Sequence, residues 1–344
     1  MRALTLRQTG GIDFLEPREM PDPGNPAPGW VRIRVKAAAL NRLDLFVTQG
    51  LPHTRPSFPH VVGSDATGRV EAVGTGVTSV QPGDQVVVNP GLSCRQCAPC
   101  LAGEQPLCRD YRILGEHLPG TMAEFLLVPE QNVAVIPAEI PWAEAAAFTL
   151  ATLTAWRMLS SRARVQPGET VLVWGAGGGV AQASIQIATL LGARVIATSG
   201  SDAKLPTARE LGAEVVLNHR SEDVVRRVRD LTGGGVDVVV DTVGEATWSS
   251  SLRSLRPMGR LVTCGATSGP QVALDVRKLF WFQWSILGST MGNDAEFQAI
   301  VEHLRQGRLR PVVDSVVPLA EGPAAYARLA AGSQSGKLVI EVAS

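Results

Sequence analysis

Four cysteines stand close together in the sequence with the spacing C-x2-C-x2-C-x7-C. Four thiolates at this spacing can surround one tetrahedral Zn²⁺, which leaves no position for water or substrate. An iron–sulfur cluster is the alternative for the same ligands. We therefore predict one structural zinc ion per chain, which would contribute to folding and not to chemistry. Its ligands are Cys94, Cys97, Cys100 and Cys108. The fifth cysteine, Cys264, is expected to be a buried and inert thiol.

A glycine-rich turn follows the apolar run Thr170–Gly175 and precedes a helical segment. In such a turn, backbone N–H groups and a helix N-terminus can approach a pyrophosphate that a Cβ would obstruct. The spacing G-x-x-G-x-x-A is a variant of the dinucleotide fingerprint, and its place between a strand and a helix favours that interpretation over a flexible turn. The predicted contacts are Gly175, Gly178, Gly179, Val180 and Ala181.

The end of the next predicted strand indicates which dinucleotide binds. An NAD site usually carries Asp or Glu about 20 residues after the turn, where it accepts from the ribose 2′-hydroxyl. Here the strand ends in small hydroxyl residues, and Asp202 falls in the next helix. Ser199, Ser201 and Lys204 therefore predict a site for a 2′-phosphate and favour NADP(H), with NAD(H) as the alternative. In the competing interpretation, Ser201 only caps the helix and Lys204 is solvated.

The elements that must position this turn alternate between strand and helix. The predicted strands are nearly continuous apolar runs, the pattern of strands buried on both faces of a parallel sheet. They are Thr170–Gly175, Ala193–Thr198, the EVVL run, Val236–Asp241, the GRLVTC run and Ser285–Ser289. Ser201 or Asp202 is expected to cap one of the intervening helices, and Ser221 another.

The sequence before this region is rich in short predicted strands separated by glycine and proline. These strands are Val31–Ala38, Ala66–Val73, Gln85–Val88 and Ala123–Val128. They suggest an irregular β-barrel. A helix is predicted over Trp142–Ser160 because the segment is rich in alanine and has neither Gly nor Pro. The tail after Asn293 has a helix and two strand-like pieces, VVPL and KLVIEV, which are expected to rejoin the first domain. The predicted fold class is α/β.

Composition limits the classes of partner. Lys plus Arg and Asp plus Glu both number 32, so the formal net charge is zero. A neutral chain offers no electrostatic footprint for nucleic acid or anionic lipid. The first residues have no apolar signal-peptide core, and the richest apolar stretch, residues 145–159, contains Arg157 and is too short to span a bilayer. Clustered thiols favour metal binding over disulfides, so we expect a cytoplasmic protein.

These residues together resemble the medium-chain dehydrogenase/reductase superfamily over nearly the whole chain. The motifs that carry the resemblance are the four-cysteine lobe, GSDATGRVEAVGTG, QPGD, GTMAEFLLVP, LTAW and the glycine turn. The resemblance implies a GroES-like catalytic β-barrel domain at 1–140, with its zinc lobe at about 91–110. It also implies a Rossmann domain at 141–290 and a segment 291–344 that returns to the first domain. It implies hydride transfer to or from C4 of nicotinamide.

The chain departs from the family's zinc alcohol dehydrogenases at every usual ligand of the catalytic zinc. Asn41 stands where they have Cys, Ser64-Asp65 where they have His-Glu, and Phe148-Thr149 near their third ligand. Asn is a poor zinc ligand, and Phe has no ligand atom. The catalytic zinc is therefore predicted to be absent, although His53, His60 and Asp65 remain an alternative metal set.

The pattern Asn41-x-x-Asp44 is similar to the zinc-free quinone and enone reductase branch, which commonly lacks the four-cysteine lobe. The chain is thus mixed: it keeps the structural zinc site and lacks the catalytic one. The candidate catalytic residues are Asn41, Asp44 and Thr152. Of these, Asn41 is the best candidate to donate a hydrogen bond to a substrate oxygen.

Further positions are implied by the resemblance alone. His219 lies where reductase relatives often carry Tyr near the adenosine phosphate, with an ordinary loop histidine as the alternative. Contacts near the nicotinamide half are implied at Thr242, Gly265, Ala266, Ser289 and Thr290. The aromatic run Phe280–Trp284 leads into a predicted edge strand, and relatives pair such edges, so a homodimer or homotetramer is expected.

The sequence favours an NAD(P)H-dependent reductase of quinones or of activated alkenes and carbonyls. Alcohol or aldehyde interconversion is the alternative enzyme activity. A cofactor-binding protein with little catalysis is a third hypothesis, because a nucleotide pocket alone does not prove turnover. The expected partners are a small carbonyl or quinone substrate and further copies of the chain.

Overall fold

The computed structural model describes residues 1–52 and 54–343 and divides into two compact units. The first unit is Met1–Ala151 with Gly292–Ser344, and the second is Thr152–Met291. The boundary between the two units falls inside the helix Trp142–Trp156. The sequence suggested a boundary before this helix, at residue 140. The reason is that the first half of this helix packs Ala146 and Ala147 into a small apolar cluster of the first unit.

The second unit is built on a six-stranded, fully parallel sheet. Numbered along the chain, its strands lie in the order 3-2-1-4-5-6, the arrangement of doubly wound dinucleotide-binding sheets. In chain order they are Thr170–Val173, Arg194–Ser199, Val215–Asn218, Val236–Asp241, Leu255–Thr263 and Ser285–Gly288. The predicted α/β fold with a doubly wound sheet is confirmed, and Ser285–Gly288 is its predicted edge strand.

Helices connect these strands and cover the sheet. They are Gly179–Leu190, Leu205–Glu210, Val224–Thr232, Glu245–Ser254 and Val276–Trp281. The side chains of Leu172, Ile196 and Val239 are completely buried, as the continuous apolar runs predicted. The prediction that Ser221 caps a helix is wrong: Asp223 accepts the backbone N–H of Arg226 at the start of Val224–Thr232. A carboxylate is a strong acceptor and suits the positive end of the helix dipole.

The strands of the first unit pair antiparallel, except that Val313–Pro318 pairs parallel with Lys337–Glu341. The strands of this unit are Arg2–Leu6, Leu15–Glu19, Trp30–Ala39, His60–Val61, Asp65–Val73, Gln85–Val88, Gly91–Leu92, Arg112–Ile113, Phe125–Pro129, Val133–Val135, Val313–Pro318 and Lys337–Glu341. Its helices are Arg42–Gln49, Ala98–Leu101, the first part of Trp142–Trp156, Asp294–Arg305 and Gly322–Ala330. The helix predicted over Trp142–Ser160 is α-helical only to Trp156 and continues as a π-helical turn over Arg157–Arg162.

The strand Trp30–Ala39 is the centre of the seven-stranded sheet because it pairs with three other strands. At its end, Ala39 pairs with Asp65 on one side and with Val339 on the other. The chain then passes through Asn41 into the helix Arg42–Gln49. These pairings bring three polar side chains from distant parts of the sequence to one place in the core. They belong to Asn41, Asp65 and Lys337.

Candidate functional site

The four cysteine sulfurs of the zinc lobe all lie within 4.8 Å of one another. The Sγ–Sγ distances are 3.5 Å for Cys97–Cys100, 3.4 Å for Cys94–Cys108 and 4.0 Å for Cys94–Cys100. Four sulfurs at 2.3 Å from a tetrahedral zinc would be about 3.8 Å apart. The separations are far too long for a disulfide, so the thiols are free and fit a structural zinc.

Backbone amides help to prepare this lobe for a metal. The N–H groups of Gln96 and Cys97 lower the pKa of the Cys94 thiol to about 6, because hydrogen bonds to sulfur favour the thiolate. The N–H groups of Cys94 and Asp110 both donate to Cys108 Sγ at 3.4 Å. Thiolates are the form that binds zinc, so these hydrogen bonds favour metal binding.

The lobe is anchored to the helix Asp294–Arg305 of the same unit. Arg95 has a left-handed backbone with φ of 58°, and its guanidinium lies 3.2 Å from both Asn132 Oδ1 and Asp294 Oδ1. Asn293, which precedes the helix, donates from Nδ2 to the carbonyl of Gly103 at 2.8 Å. The lobe therefore holds the returning C-terminal segment and offers no open metal position, which is a structural role.

The glycine turn connects the first strand of the parallel sheet to the helix Gly179–Leu190. Gly175 has φ of 74°, a conformation that favours glycine, and Gly178 is the residue before the helix. Val180 and Ala181 follow in the first helical turn. A Cβ added at Gly177 would lie 2.6 Å from Cδ and 3.2 Å from Nζ of Lys204. The Lys204 side chain thus lies against the glycine turn.

The tip of the second strand carries no free carboxylate among the residues that the structure describes there. Ser199 is buried and accepts the N–H of Ser201 on Oγ at 3.1 Å. Ser201 precedes a short 3-10 turn, Asp202–Lys204, but its side chain makes no capping hydrogen bond. The nearest acid, Asp202, accepts from Asn218 Nδ2 at 2.7 Å. One of its two carboxylate oxygens is therefore engaged.

The positions implied for the nicotinamide half follow the ends of three other strands. Asp241 is buried and accepts the N–H groups of Val243 and Gly244 at 2.8 and 3.0 Å, which shapes the turn after Thr242. Ser289 donates its N–H to Thr263, and its Oγ is buried with no hydrogen-bond partner in the described structure. Ligands of open parallel sheets bind beyond the carboxyl ends of the strands. That edge holds the turn at 175–181, the 199–204 tip, His219, Thr242, Gly265, Ala266, Ser289 and Thr290.

Cys264 lies beside these positions, and burial raises the pKa of its thiol to about 12. It therefore stays a neutral thiol at physiological pH, in keeping with the expected inert role.

In the first unit, Asn41 directs its polar atoms into the protein. Its Oδ1 accepts from Lys337 Nζ at 2.5 Å, and its Nδ2 donates to Asp65 Oδ2 at 3.0 Å. The remaining contact of Nδ2, with the carbonyl of Ala39, is 3.4 Å long and therefore weak. Thus one amide hydrogen of Asn41 is firmly held, and the other makes only this weak contact.

Lys337 is a residue that the sequence interpretation missed. Its ammonium is buried and also lies 3.0 Å from Asp65 Oδ2, while Asp65 Oδ1 accepts the N–H of Leu150 at 2.7 Å. The available signal was a lysine at the start of the apolar run LVIEV. A lysine in a buried strand needs a charged or polar partner, because its ammonium is otherwise almost never buried.

Asp44 holds the backbone of Asn41 in place. It is buried, and its Oδ2 accepts the backbone N–H of Asn41 at 2.6 Å, at the start of the helix Arg42–Gln49. Burial raises the pKa of its carboxyl to about 7. Thr152, the third candidate, is buried in the second unit near the end of the helix Trp142–Trp156. The structure groups Asn41 with Asp44 in one unit, and Thr152 belongs to the other.

The residues at the family's catalytic-zinc positions do not fit a zinc ion. Asp65 is bound by the Lys337 ammonium and the Asn41 amide, and Ser64 donates its Oγ to the carbonyl of Leu114 at 2.7 Å. His60 Nε2 lies 2.9 Å from the carbonyl of Gly115, and His53 lies outside the described residues. A metal ion would have to displace the ammonium. Within residues 1–52 and 54–343, the only cluster of three or more potential metal ligands is the four cysteines.

No helix of the described chain is both long and apolar enough to cross a membrane.

Comparisons with known proteins agree with this fold. The family model described as alcohol dehydrogenase GroES-like domain matches residues 27–138, and the one described as zinc-binding dehydrogenase matches residues 179–306. The chain is 30% identical to an NAD-dependent alcohol dehydrogenase of Sulfolobus acidocaldarius, covering 99% of this chain and 100% of that one. It is 32% identical to a quinone oxidoreductase of Pseudomonas aeruginosa, covering 96% of each. A solved structure of an NAD-dependent alcohol dehydrogenase superposes with a TM-score of 0.95 at 45% identity, covering 100% of both chains.

Proposed function

Because this chain belongs to the zinc-binding dehydrogenases with a GroES-like domain, it is a nicotinamide-dependent oxidoreductase, and we propose that it uses NADPH to reduce quinones or activated alkenes and carbonyls. Membership rests on the two family models and on relatives that match nearly the whole chain. The observation that carries the proposal is the buried ammonium of Lys337, which occupies the acceptors of Asn41 and Asp65.

This arrangement suits a reaction that does not need a catalytic metal ion. Oxidising an unactivated alcohol requires removal of the hydroxyl proton, and a catalytic zinc stabilises the resulting alkoxide by several kcal/mol. A neutral amide hydrogen bond contributes only about 1 kcal/mol net. When a quinone or enone is reduced, the developing charge spreads over a conjugated system. Neutral donors can then stabilise the oxygen that gains charge.

In this proposal the bound cofactor supplies the hydride, and Asn41 donates a hydrogen bond to the substrate oxygen that gains charge. The Lys337 ammonium polarises the carboxamide of Asn41 through Oδ1, which strengthens donation from Nδ2. The hydrogen that is held only by the long contact to Ala39 is the one available to a substrate oxygen. Asp44 fixes the backbone of Asn41 and acts as a positioning residue. Thr152 remains a candidate catalytic residue of the second unit.

The proposed cofactor site uses the carboxyl edge of the parallel sheet. The turn at Gly175 and Gly178, with the helix that begins at Gly179, fits a pyrophosphate. NADP(H) is favoured because Lys204 lies over this turn and Asp202 is engaged by Asn218. Small groups such as Gly265 and Ala266 would border the nicotinamide half.

NAD-dependent alcohol oxidation is the second candidate. It is favoured by the solved alcohol dehydrogenase that shares 45% of its residues with this chain. The two candidates differ in cofactor, in direction and in dependence on a metal. Activity measurements of these three properties therefore distinguish the two candidates.

The test is a substrate panel measured with the purified protein. NADPH and NADH are each offered with quinones, enones and aldehydes, and NADP⁺ and NAD⁺ with primary and secondary alcohols. We expect the highest kcat/KM for NADPH with a quinone or enone. Replacing Asn41 by Ala should lower kcat about fivefold, the equivalent of about 1 kcal/mol, and leave the dissociation constant of NADPH unchanged. A preference for NAD⁺ with an alcohol would establish the second candidate.

A further inference from the structure

The turn that contains Glu116 packs tightly on the segment 63–65 of the first unit. Ser64 donates its Oγ to the carbonyl of Leu114 at 2.7 Å. A Cβ added at Gly115 would lie 2.2 Å from a carbonyl oxygen of the same segment, so only glycine allows this close approach. The position of Glu116 is therefore fixed relative to this segment.

The same segment ends at the residue that holds the candidate catalytic amide. Asp65 Oδ2 accepts from Asn41 Nδ2 at 3.0 Å. Two consecutive residues thus make the two contacts: Ser64 binds the turn that contains Glu116, and Asp65 binds Asn41. We therefore expect the carboxyl of Glu116 to lie beside the proposed position of the substrate oxygen.

The side chain of Glu116 is largely covered, and no cation neutralises it. It is 14% exposed, and its Oε1 lies 3.6 Å from Nε2 of His117. Its carboxyl makes no hydrogen bond with any residue that the structure describes. Burial raises the pKa of this carboxyl, because the charged form loses water without gaining a strong partner. The protonated acid is thereby favoured.

The imidazole of His117 orients this carboxyl. Its Nδ1 accepts the backbone N–H of Ile113 at 3.2 Å, so the hydrogen of the neutral ring is on Nε2, the nitrogen that faces Glu116. Burial and the nearby Arg112 lower the pKa of His117, so the ring is neutral at pH 7. One carboxyl oxygen is then directed towards Nε2–H, and the other can carry the acidic proton.

Three other titratable groups face this turn from the elements around it. His60, from the neighbouring strand, binds a backbone carbonyl of the turn, and burial lowers the pKa of its imidazole. Asp65, from the packed segment, is paired with Lys337. Arg112 lies just before the turn. None of the three forms an ion pair with Glu116 in the part of the chain that the structure describes, so burial decides its protonation.

We propose that Glu116 is a further catalytic residue, which gives a proton to the α-carbon of an activated alkene once hydride has reached the β-carbon. The inference rests on the proposed NADPH-dependent reduction and narrows its substrates to alkenes conjugated with a carbonyl. Asn41 binds the carbonyl oxygen, and Glu116 serves the carbon two bonds away.

The step balances without a further reactant. Hydride forms the C–H bond at the β-carbon, and the electron pair of the C=C bond moves onto the carbonyl oxygen as an enolate. When the enolate returns to the carbonyl form, the α-carbon takes the proton of the Glu116 carboxyl, which is left as a carboxylate. Solvent then restores the proton. A quinone takes its proton on oxygen, where water supplies it readily, so quinone reduction depends less on this acid.

The experiment compares the purified full-length wild type with two variants. Glu116→Gln keeps the shape of the side chain and cannot give a proton. Glu139→Gln, an exposed change in the same unit, is the matched control. Each protein reduces a quinone and an enone with a methyl group on its α-carbon, both with NADPH. The measured quantities are kcat as a function of pH, the dissociation constant of NADPH and the handedness of the product at the α-carbon.

We expect Glu116→Gln to lower kcat for the enone about a hundredfold, the smaller end of the usual effect of general acid catalysis, and for the quinone about twofold at most. The wild type should give mainly one enantiomer, and this variant a nearly racemic product, because water approaches both faces of the enolate. The wild-type kcat should fall as pH rises above the pKa of Glu116, and the variant should lack this decrease. NADPH binding should not change, and Glu139→Gln should behave as the wild type.

Three results would overturn the inference. The first is wild-type turnover of the enone by Glu116→Gln. The second is slower turnover with the same handedness and the same pH dependence as the wild type, which would make Glu116 a structural residue. The third is a racemic product from the wild type, which decides the question even if the variant does not fold.

The same panel separates this inference from the proposed function. NADPH-dependent reduction of the quinone without reduction of the enone would remove this inference alone. Reduction of neither substrate by the wild type would remove the proposed function together with it.

Discussion

The ammonium of Lys337 lies 3.0 Å from the carboxylate of Asp65 in the interior of the first unit, although 272 positions separate the two residues in the chain. Both side chains are almost completely inaccessible to solvent. The pair neutralises a charge at a position where zinc alcohol dehydrogenases of the family carry a metal ligand. This ion pair is why the site is expected to work without a catalytic metal.

Removing one partner of this pair should destabilise the protein strongly. Lys337→Met leaves a buried carboxylate uncompensated, and such changes typically cost about 3–5 kcal/mol. Urea unfolding followed by tryptophan fluorescence measures the loss. The double variant Lys337→Met/Asp65→Asn removes both charges and should be more stable than Lys337→Met alone. If the two single losses simply add in the double variant, the pair is not energetically coupled.

The four-cysteine lobe should hold one zinc ion per chain. Cys97→Ser should lose that zinc and lower the midpoint of thermal unfolding, because a structural zinc contributes to the free energy of folding. Cys264→Ala is the matched control and should keep the zinc. Elemental analysis of the purified proteins gives the stoichiometry. Two zinc ions per wild-type chain would contradict the predicted absence of a catalytic zinc.

Asp44 should make stability depend on pH in a direction unusual for a carboxylate. Its pKa of about 7 in the folded state exceeds the ordinary value of 3.8, so the folded state binds more protons between these values. Stability contributed by the protonated carboxyl is therefore present below pH 4 and is lost as pH rises towards 7, at up to about 1.4 kcal/mol per pH unit.

Asp44→Asn keeps an oxygen acceptor for the Asn41 N–H and cannot ionise. Its free energy of unfolding, relative to that of the wild type, should therefore increase from pH 5 to pH 8. Urea unfolding at four pH values would show the trend. A relative stability that decreases over this range would mean that Asp44 is stabilised as the carboxylate.

Lys204 should contribute to the preference for NADPH. Lys204→Ala removes a cation that lies against Gly177 and should weaken NADPH binding about tenfold, the effect of losing one charged hydrogen bond. Arg209→Ala, an exposed change in the next helix, is the control and should have no effect. Isothermal titration compares the dissociation constants. An equal loss for NADH would assign Lys204 to the pyrophosphate common to both cofactors.

The edge strand Ser285–Gly288 should pair with a second copy of the chain. It follows the exposed side chains of Phe280 and Trp281, whereas Trp284 packs on Phe282 and donates Nε1 to the carbonyl of Arg256. Exposed apolar side chains beside an edge strand are typical of an interface. We expect a dimer or tetramer by light scattering at micromolar concentration, and dissociation in Trp281→Glu. A wild-type monomer would contradict this.

The features that could be predicted from the sequence are local ones. The glycine turn and the cysteine lobe depend on residues close together in the chain, so their spacing alone revealed them. Continuous apolar runs likewise predicted the parallel sheet. The group of Asn41, Asp65 and Lys337 could not be predicted because two strand pairings between distant parts of the sequence assemble it.

The most direct test of the account is NADPH-dependent reduction of a quinone after treatment with a zinc chelator. The protein is dialysed against the chelator until elemental analysis shows no zinc beyond one ion per chain, and the rate is compared with the untreated protein. Ethanol oxidation is measured on the same samples with NADP⁺ and NAD⁺. The account predicts an unchanged rate of quinone reduction and little oxidation of ethanol. Efficient ethanol oxidation that the chelator abolishes would contradict it, and Ser64 and Asp65 would then belong to a metal site.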